Sequence, residues 1–177
     1  MDRDGVINHR IVGDYVRSVE QFDLLPGVLE GLALLARHAG RIIVVSNQAG
    51  VGKGLYTDSD VRAVHDFLVT QVEASGGRID AALYCPHRAD EHCACRKPGT
   101  GLAVQAMERF EDLDLAAAVM IGDSAGDIGF ARRLGIPSVL VVGTGGEGTA
   151  SDGPTAVAGN LMEVAHLLTG QEPGVTL

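Results

Sequence analysis

The chain has 177 residues and a formal charge of −9, with 46% hydrophobic and 21% charged residues, 4% aromatics and no Trp. Those figures suit one globular domain, residues 1–170 with a short tail at 171–177, whose core is built from Val, Leu, Ile and Ala. The acidic balance disfavours a nucleic-acid partner, no apolar run spans a bilayer, and Asp-Arg-Asp after Met1 is not a secretory signal, so a cytoplasmic monomer acting on a small molecule is expected.

The first segment, Asp2-Arg3-Asp4-Gly5-Val6-Ile7-Asn8, sets two carboxylates two residues apart. In extended backbone such residues share a face. The pairing suits one carboxylate that attacks an electrophile and a second that handles protons or helps hold a metal. A polar turn or calcium-type loop uses the same residue types, so the segment does not settle its own meaning.

Further along, Val28, Leu32 and Leu35 recur at helical spacing between Pro26-Gly27 and Gly40. Ile42 to Val45 reads as a buried parallel strand. Thr57 is placed to cap a helix that carries Asp58 and Asp60 in its first turn and runs to about Glu73. A strand over 79–84, a helix over 102–110, a strand over 119–121, a helix over 127–134, a strand over 138–142 and a helix over 161–168 complete the alternation. Residues 143–159, rich in Gly, Thr and Ser, read as a loop. Strictly alternating elements indicate a three-layer α/β fold, a Rossmann-like parallel sheet with helices on both faces.

Ligands of open parallel sheets bind beyond the carboxyl ends of the strands. Ser46-Asn47-Gln48, the segment from Cys85 to Lys97, and Gly122-Asp123-Ser124 each follow a predicted strand, so all three share one sheet edge. Each alone reads equally well as a turn or cap. Asp127, one helical turn past Asp123, suits either a metal-supporting role or a helix N-terminal charge. Gly50-Val51-Gly52-Lys53-Gly54 lacks P-loop spacing and reads as a connection after Ser46 that brings Lys53 near the same edge.

All three cysteines, Cys85, Cys93 and Cys95, fall within eleven residues, with His87 among them. An odd, clustered set argues against disulfides. Three thiolates and one imidazole complete a tetrahedral Zn²⁺ site with no open position, which is a structural rather than a catalytic arrangement. His92 is the rival fourth ligand, but it adjoins Cys93. Such a site would fold a loop poor in apolar residues and fix Arg96-Lys97-Pro98 directly after it.

Together these segments resemble the haloacid dehalogenase superfamily of phosphatases over about residues 2–142. The resemblance rests on Asp2-Arg3-Asp4-Gly5, on Ser46, on Lys97 and on Gly122-Asp123 with Asp127. It implies Asp2 as nucleophile, Asp4 as general acid/base, Ser46 and Lys97 as phosphoryl-binding catalytic groups, and Mg²⁺ held by Asp2, Asp4 (through its backbone carbonyl) and Asp123. Cys-Pro-His…Cys-Ala-Cys-Arg-Lys-Pro, Ser-Asn-Gln-Ala-Gly and Asp-Arg-Asp-Gly-Val-Ile-Asn narrow the resemblance to the D-glycero-D-manno-heptose 1,7-bisphosphate phosphatases, with histidinol phosphatases as relatives. That resemblance implies a phosphorylated sugar as substrate. It implies a pocket formed by Val12, Gly13, Asp14, Tyr15, Ser46, Asn47, Gln48, Ala49, Arg96, Lys97 and Ser124, with Arg96 on the substrate's distal part. Residues 8–21 take the place of a cap domain.

One departure stands out: the family's apolar strand directly before the nucleophile is not present ahead of Asp2, where only Met1 stands, so either the true start lies upstream or the chain is a weakened version. Its absence is expected to expose apolar neighbours on either side. Two readings therefore compete with the heptose phosphatase: histidinol phosphate hydrolysis, and a zinc-stabilised binding module without turnover.

Overall fold

The computed structural model describes residues 1–143 and 145–171, so the tail expected at 171–177 lies almost wholly outside the described residues. The elements are α1 (Val28–Ala36), β1 (Ile43–Asn47), α2 (Asp58–Ala74), β2 (Ala81–Cys85), α3 (Gly101–Arg109), β3 (Met120–Gly122), α4 (Ala125–Leu134), β4 (Ser138–Val141), β5 (Ala156–Ala158) and α5 (Leu161–Thr169). Every strand pairing is parallel, in the orders β1–β2 and β3–β4–β5. Ile43 stands opposite Ala81, and Met120 opposite Ser138.

The two ladders meet through Met1 and Asp2. The Met1 carbonyl accepts from the Val45 N–H at 2.9 Å, and its amino group donates to the Ile43 carbonyl at 2.8 Å. On the other side the Asp2 N–H donates to the Ile121 carbonyl at 2.8 Å. This dipeptide therefore stands between β1 and β3 as a strand would. Beside it lies an apolar groove of about 450 Å³, lined by Met1, Ile43, Val45, Met120, Ile121 and Phe130 among others.

Side-chain alternation along the strands divides the core in two. Val44 and Ile121 join α1, α2 and α5 in one apolar cluster, while Val45 and Met120 join Leu102, Ala103, Phe130 and Ala131 of α3 and α4 in the other. Thr57 caps α2 as expected, with a reciprocal bond from Asp60. Arg132 and Arg133 fall in the last turn of α4, where the helix dipole favours cations.

Most boundaries shift by one or two residues from the sequence expectation, and three differences matter for the site and the sheet. β1 runs on through Asn47, so Ser46 lies within the strand rather than after it. β2 starts at Ala81 rather than Ile79, because the preceding Asp80 is engaged by the Ile42 backbone, its carboxylate accepting from the Ile42 N–H at 2.7 Å. The segment 143–159 is not all loop: Ala156–Ala158 pairs with β4 as an edge strand. Three residues, two of them Ala of weak strand propensity, behind a Gly-rich run carry too little alternation to be read, and pairing with β4 is what makes them a strand.

Candidate active site

All the polar clusters of the sheet edge line one cavity of about 560 Å³. Gly5 has φ +88°, and a Cβ there would collide with the Asp123 carboxylate, so only glycine lets the Asp2–Asp4 loop pass so near Asp123.

Asp2 is almost fully buried, and its Oδ1 accepts from the Lys97 Nζ at 2.8 Å and from the Arg3 N–H at 2.7 Å. The Lys97 ammonium also donates to Asp127 Oδ1 at 2.6 Å. Burial works against the charge on Lys97, but Asp127 and Asp2 outweigh it and hold the lysine protonated. Burial pushes the Asp2 carboxyl up to about 6, with Lys97 pulling it back and Asp127 and Asp4 adding repulsion. Burial likewise raises Asp123, to about 7, reinforced by Asp2 and Asp127.

Asp4 is treated oppositely. Burial alone would raise its pKa, but Arg3, Asn8 and Gln48 bring it below the ordinary carboxylate value. The Arg3 guanidinium, itself 1% exposed, reaches both Asp4 oxygens at 3.0 Å, the Asn8 amide donates at 3.0 Å, and the Gln48 amide donates at 2.8 Å. Gln48 also donates to Ser46 Oγ at 2.8 Å and accepts from the buried Tyr56 hydroxyl at 2.7 Å. A carboxylate only accepts, so the Gln48 nitrogen faces Asp4 and its oxygen faces Tyr56.

Asn47 grips the backbone of Lys97 from both sides, its Oδ1 accepting from the Lys97 N–H at 2.9 Å and its Nδ2 donating to the Lys97 carbonyl at 3.1 Å. Ser124 caps α4, and its N–H and hydroxyl both donate to Asp127 Oδ2, at 3.1 and 2.6 Å. Asp127 therefore does two things at once: it closes the helix cap and it anchors Lys97.

Asp2, Asp123 and Asp127 can each place an oxygen within 4.8 Å of the others, a hard-donor set of the kind that Mg²⁺ takes. Among the described residues the buried Asp123 Oδ2 has no hydrogen-bond partner, and the Arg10 guanidinium stands off at 3.6 Å, which leaves that oxygen able to take a metal ion. A second cluster brings together Cys85, His87, Cys93 and Cys95. Five of the six pairs among their Sγ and Nδ1 atoms are 3.2–3.6 Å apart. A Zn²⁺ tetrahedron with bonds of about 2.3 Å has edges of about 3.8 Å, so the four donors fit with a small expansion. His92 stands outside the cluster, with φ at 49°.

The structure gathers Asp2, Asp4, Gly13, Asp14, Tyr15, Ser46, Asn47, Ala49, Arg96, Lys97, Asp123 and Ser124 onto the cavity wall. It does not bring Val12 there, which is 82% exposed on the loop tip, nor Gln48, which is 1% exposed and lies beneath Ser46 and Asp4. Sequence reasoning missed Arg3, Asn8 and Tyr56 as supports of Asp4. The position of Arg3 between two aspartates was the available signal for the first. It also missed Arg10, which lines the cavity 3.6 Å from both Asp123 and Glu147.

Comparison with known proteins gives a consistent picture. The HAD-hydrolase-like family model matches residues 94–164. A Mycobacterium bovis protein named D-glycero-alpha-D-manno-heptose-1,7-bisphosphate 7-phosphatase is 42% identical over 134 residues, covering 76% of this chain and 70% of that protein. A Bordetella bronchiseptica protein named as the 7-phosphatase of the beta anomer is 34% identical over 172 residues, 95% of each. The crystal structure of the D,D-heptose 1,7-bisphosphate phosphatase from B. bronchiseptica, complexed with magnesium and phosphate, superposes with a TM-score of 0.86 over 97% of each chain at 34% identity. Among the described residues no helix is long and apolar enough to cross a membrane.

Proposed function

This chain belongs to the heptose-1,7-bisphosphate 7-phosphatases of the HAD-like hydrolases, a family of phosphomonoester hydrolases, and from that membership we propose that it removes the 7-phosphate of D-glycero-D-manno-heptose 1,7-bisphosphate. The observation that carries the reading is the contact of Lys97 with Asp2 at 2.8 Å, on the wall of a cavity that also holds Asp4, Asp123 and Arg96.

In the proposed reaction Asp2 attacks phosphorus and the bond from phosphorus to the C7 oxygen breaks. Asp4 gives a proton to the departing alkoxide. It then takes one from the water that splits the aspartyl phosphate, returning Asp2 and inorganic phosphate. Asp4 is ionised in the resting site. The arriving phosphoryl dianion, a like charge at short range, favours its protonation. Lys97 and the Ser46 hydroxyl orient the phosphoryl oxygens and offset their charge. Asp2, Asp123 and the Asp4 carbonyl would hold Mg²⁺, which would supply further charge neutralisation at the phosphoryl group. Cys85, His87, Cys93 and Cys95 would hold Zn²⁺, which would fix the loop that leads directly into Arg96 and Lys97. Residues 1–170 act as one catalytic domain of a cytoplasmic, monomeric enzyme, a setting in which three cysteines stay out of disulfides.

The test is phosphate release from both anomers of heptose 1,7-bisphosphate and from histidinol phosphate, with the remaining phosphate located by NMR. Loss of the 7-phosphate at the highest kcat/KM is expected. A higher kcat/KM for histidinol phosphate would overturn the assignment.

A further inference from the structure

Four cations stand on the cavity wall: Arg10, Lys53, Arg96 and Lys97. Two of them are already matched by carboxylates. Lys97 is held by Asp2 and Asp127, and Arg10 lies between Asp123 and Glu147. Lys53 and Arg96 make no ion pair with any described carboxylate. Arg96 buries its Nη1 with no hydrogen-bond partner among the described residues. An unpaired buried guanidinium nitrogen is costly unless an acceptor arrives. Lys53 is exposed, yet it is not loose: its Nζ donates to the Tyr15 hydroxyl at 2.9 Å and sits 5.3 Å from the centre of that ring.

The two unmatched cations come from neighbouring loops. The turn that carries Lys53 is tied to the zinc-cluster loop by the Gly52 N–H donating to the Pro86 carbonyl at 2.9 Å, and that loop ends on Cys95, the residue before Arg96. A Cβ at Gly52 would press on the Pro86 carbonyl and the Arg88 side chain, so the turn can lie this close only with glycine there. Tyr15 is in turn braced against Tyr56, ring centres 5.7 Å apart. The result is a pair of positive side chains, Lys53 steadied by Tyr15 and Arg96 without a partner for its buried Nη1, lining the same cavity as the reacting carboxylates.

Resting on the sugar-bisphosphate reading above, we infer that Lys53, steered by Tyr15, works with Arg96 as a seat for the phosphate that is not cleaved. The two seats divide the labour. Lys97 is matched by carboxylates because it must act where charge is rearranged. Lys53 and Arg96 are unmatched because a permanent dianion completes them. Lys53 is then a specificity-determining residue that touches substrate at the group remote from the chemistry.

The experiment compares kcat/KM for a bisphosphate against the corresponding monophosphate, for wild type, Lys53→Met and Tyr15→Phe. The substrates are heptose 1,7-bisphosphate and heptose 7-phosphate, with fructose 1,6-bisphosphate and fructose 6-phosphate as a second pair. A charge-assisted hydrogen bond to phosphate corresponds to about a 10- to 100-fold change in affinity. The bisphosphate preference of Lys53→Met is expected to fall by that factor, through KM rather than kcat, and Tyr15→Phe by a smaller one. Equal losses on bisphosphate and monophosphate, or no loss on either, overturn the seat. So does a wild-type enzyme indifferent to the second phosphate in both pairs. A wild type that prefers only the fructose bisphosphate sinks the heptose assignment, while the same ratio in Lys53→Met still decides the seat.

Discussion

Asp127 offers the sharpest test of how this site is built, because its two oxygens serve two separable ends. Oδ1 receives the Lys97 ammonium at 2.6 Å, and Oδ2 closes the α4 cap on Ser124. Asp127→Asn keeps an acceptor for the cap but removes the charge beside Lys97. A hydrogen bond to a charged group contributes about 1.5–3 kcal/mol. Relief of repulsion on Asp2 and Asp123 offsets part of that, so a loss of about 2 kcal/mol is expected for Asn. Asp127→Ala also loses the cap, for about 1 kcal/mol more. At roughly 2–4 °C per kcal/mol for a chain of this size, the midpoints should fall by about 4–8 °C and about 6–12 °C. The chain has no Trp, so far-UV circular dichroism during urea and thermal unfolding, in magnesium-free buffer, is the suitable readout. An Asn variant within about 0.5 kcal/mol of wild type would refute the claim that Lys97 depends on Asp127. Identical Asn and Ala variants would refute the capping role.

Three further outcomes are expected. Asp2 and Asp123 are both raised, to about 6 and about 7, so in the metal-free protein their contribution is present below the unfolded value near 3.8 and is lost as pH rises through 6 to 7. Mg²⁺ needs them ionised, so the thermal shift it produces should be large at pH 8 and vanish toward pH 5; a shift independent of pH would contradict this. Zinc analysis should find one ion per chain. Its removal by a zinc-selective chelator should lower the midpoint and abolish turnover that Mg²⁺ alone does not restore; full activity without zinc would show that the thiolate cluster does not hold Arg96 and Lys97. Gly5→Ala forces a side chain at φ +88° into the Asp123 carboxylate and should cost about 1–3 kcal/mol with a loss of Mg²⁺ binding by calorimetry. Normal Mg²⁺ binding in that variant would refute the tight approach.

Much of the site is legible in the order of the residues, for a physical reason. Parallel strands deliver their carboxyl ends to one edge, so Ser46, Lys97 and Asp123 need only correct strand placement to converge. The zinc cluster is legible because its four donors are close in sequence. What escapes is set by turns rather than periodicity. Tyr56 reaches Gln48 because the chain folds back over residues 48–55, and nothing in the residue types there announces that path. Val12, grouped with its pocket-lining neighbours, points to solvent because it sits at a loop tip where adjacent residues diverge. β5 is invisible because an edge strand of three residues is a property of the ladder, not of Ala-Val-Ala.

The junction between the two ladders carries a mechanical consequence. One half contributes Ser46 and, through the loop after β2, Lys97; the other contributes Asp123 and Asp127; Asp2 lies on the seam, bonded to the second half while its neighbour Met1 is bonded to the first. Opening along that seam would part the ammonium from Asp127 and would also divide both hydrophobic clusters, since each takes residues from both ladders. A bound anion and cation would then act as mortar, stiffening the whole sheet from its middle and linking the firmness of the scaffold to occupancy of the cleft.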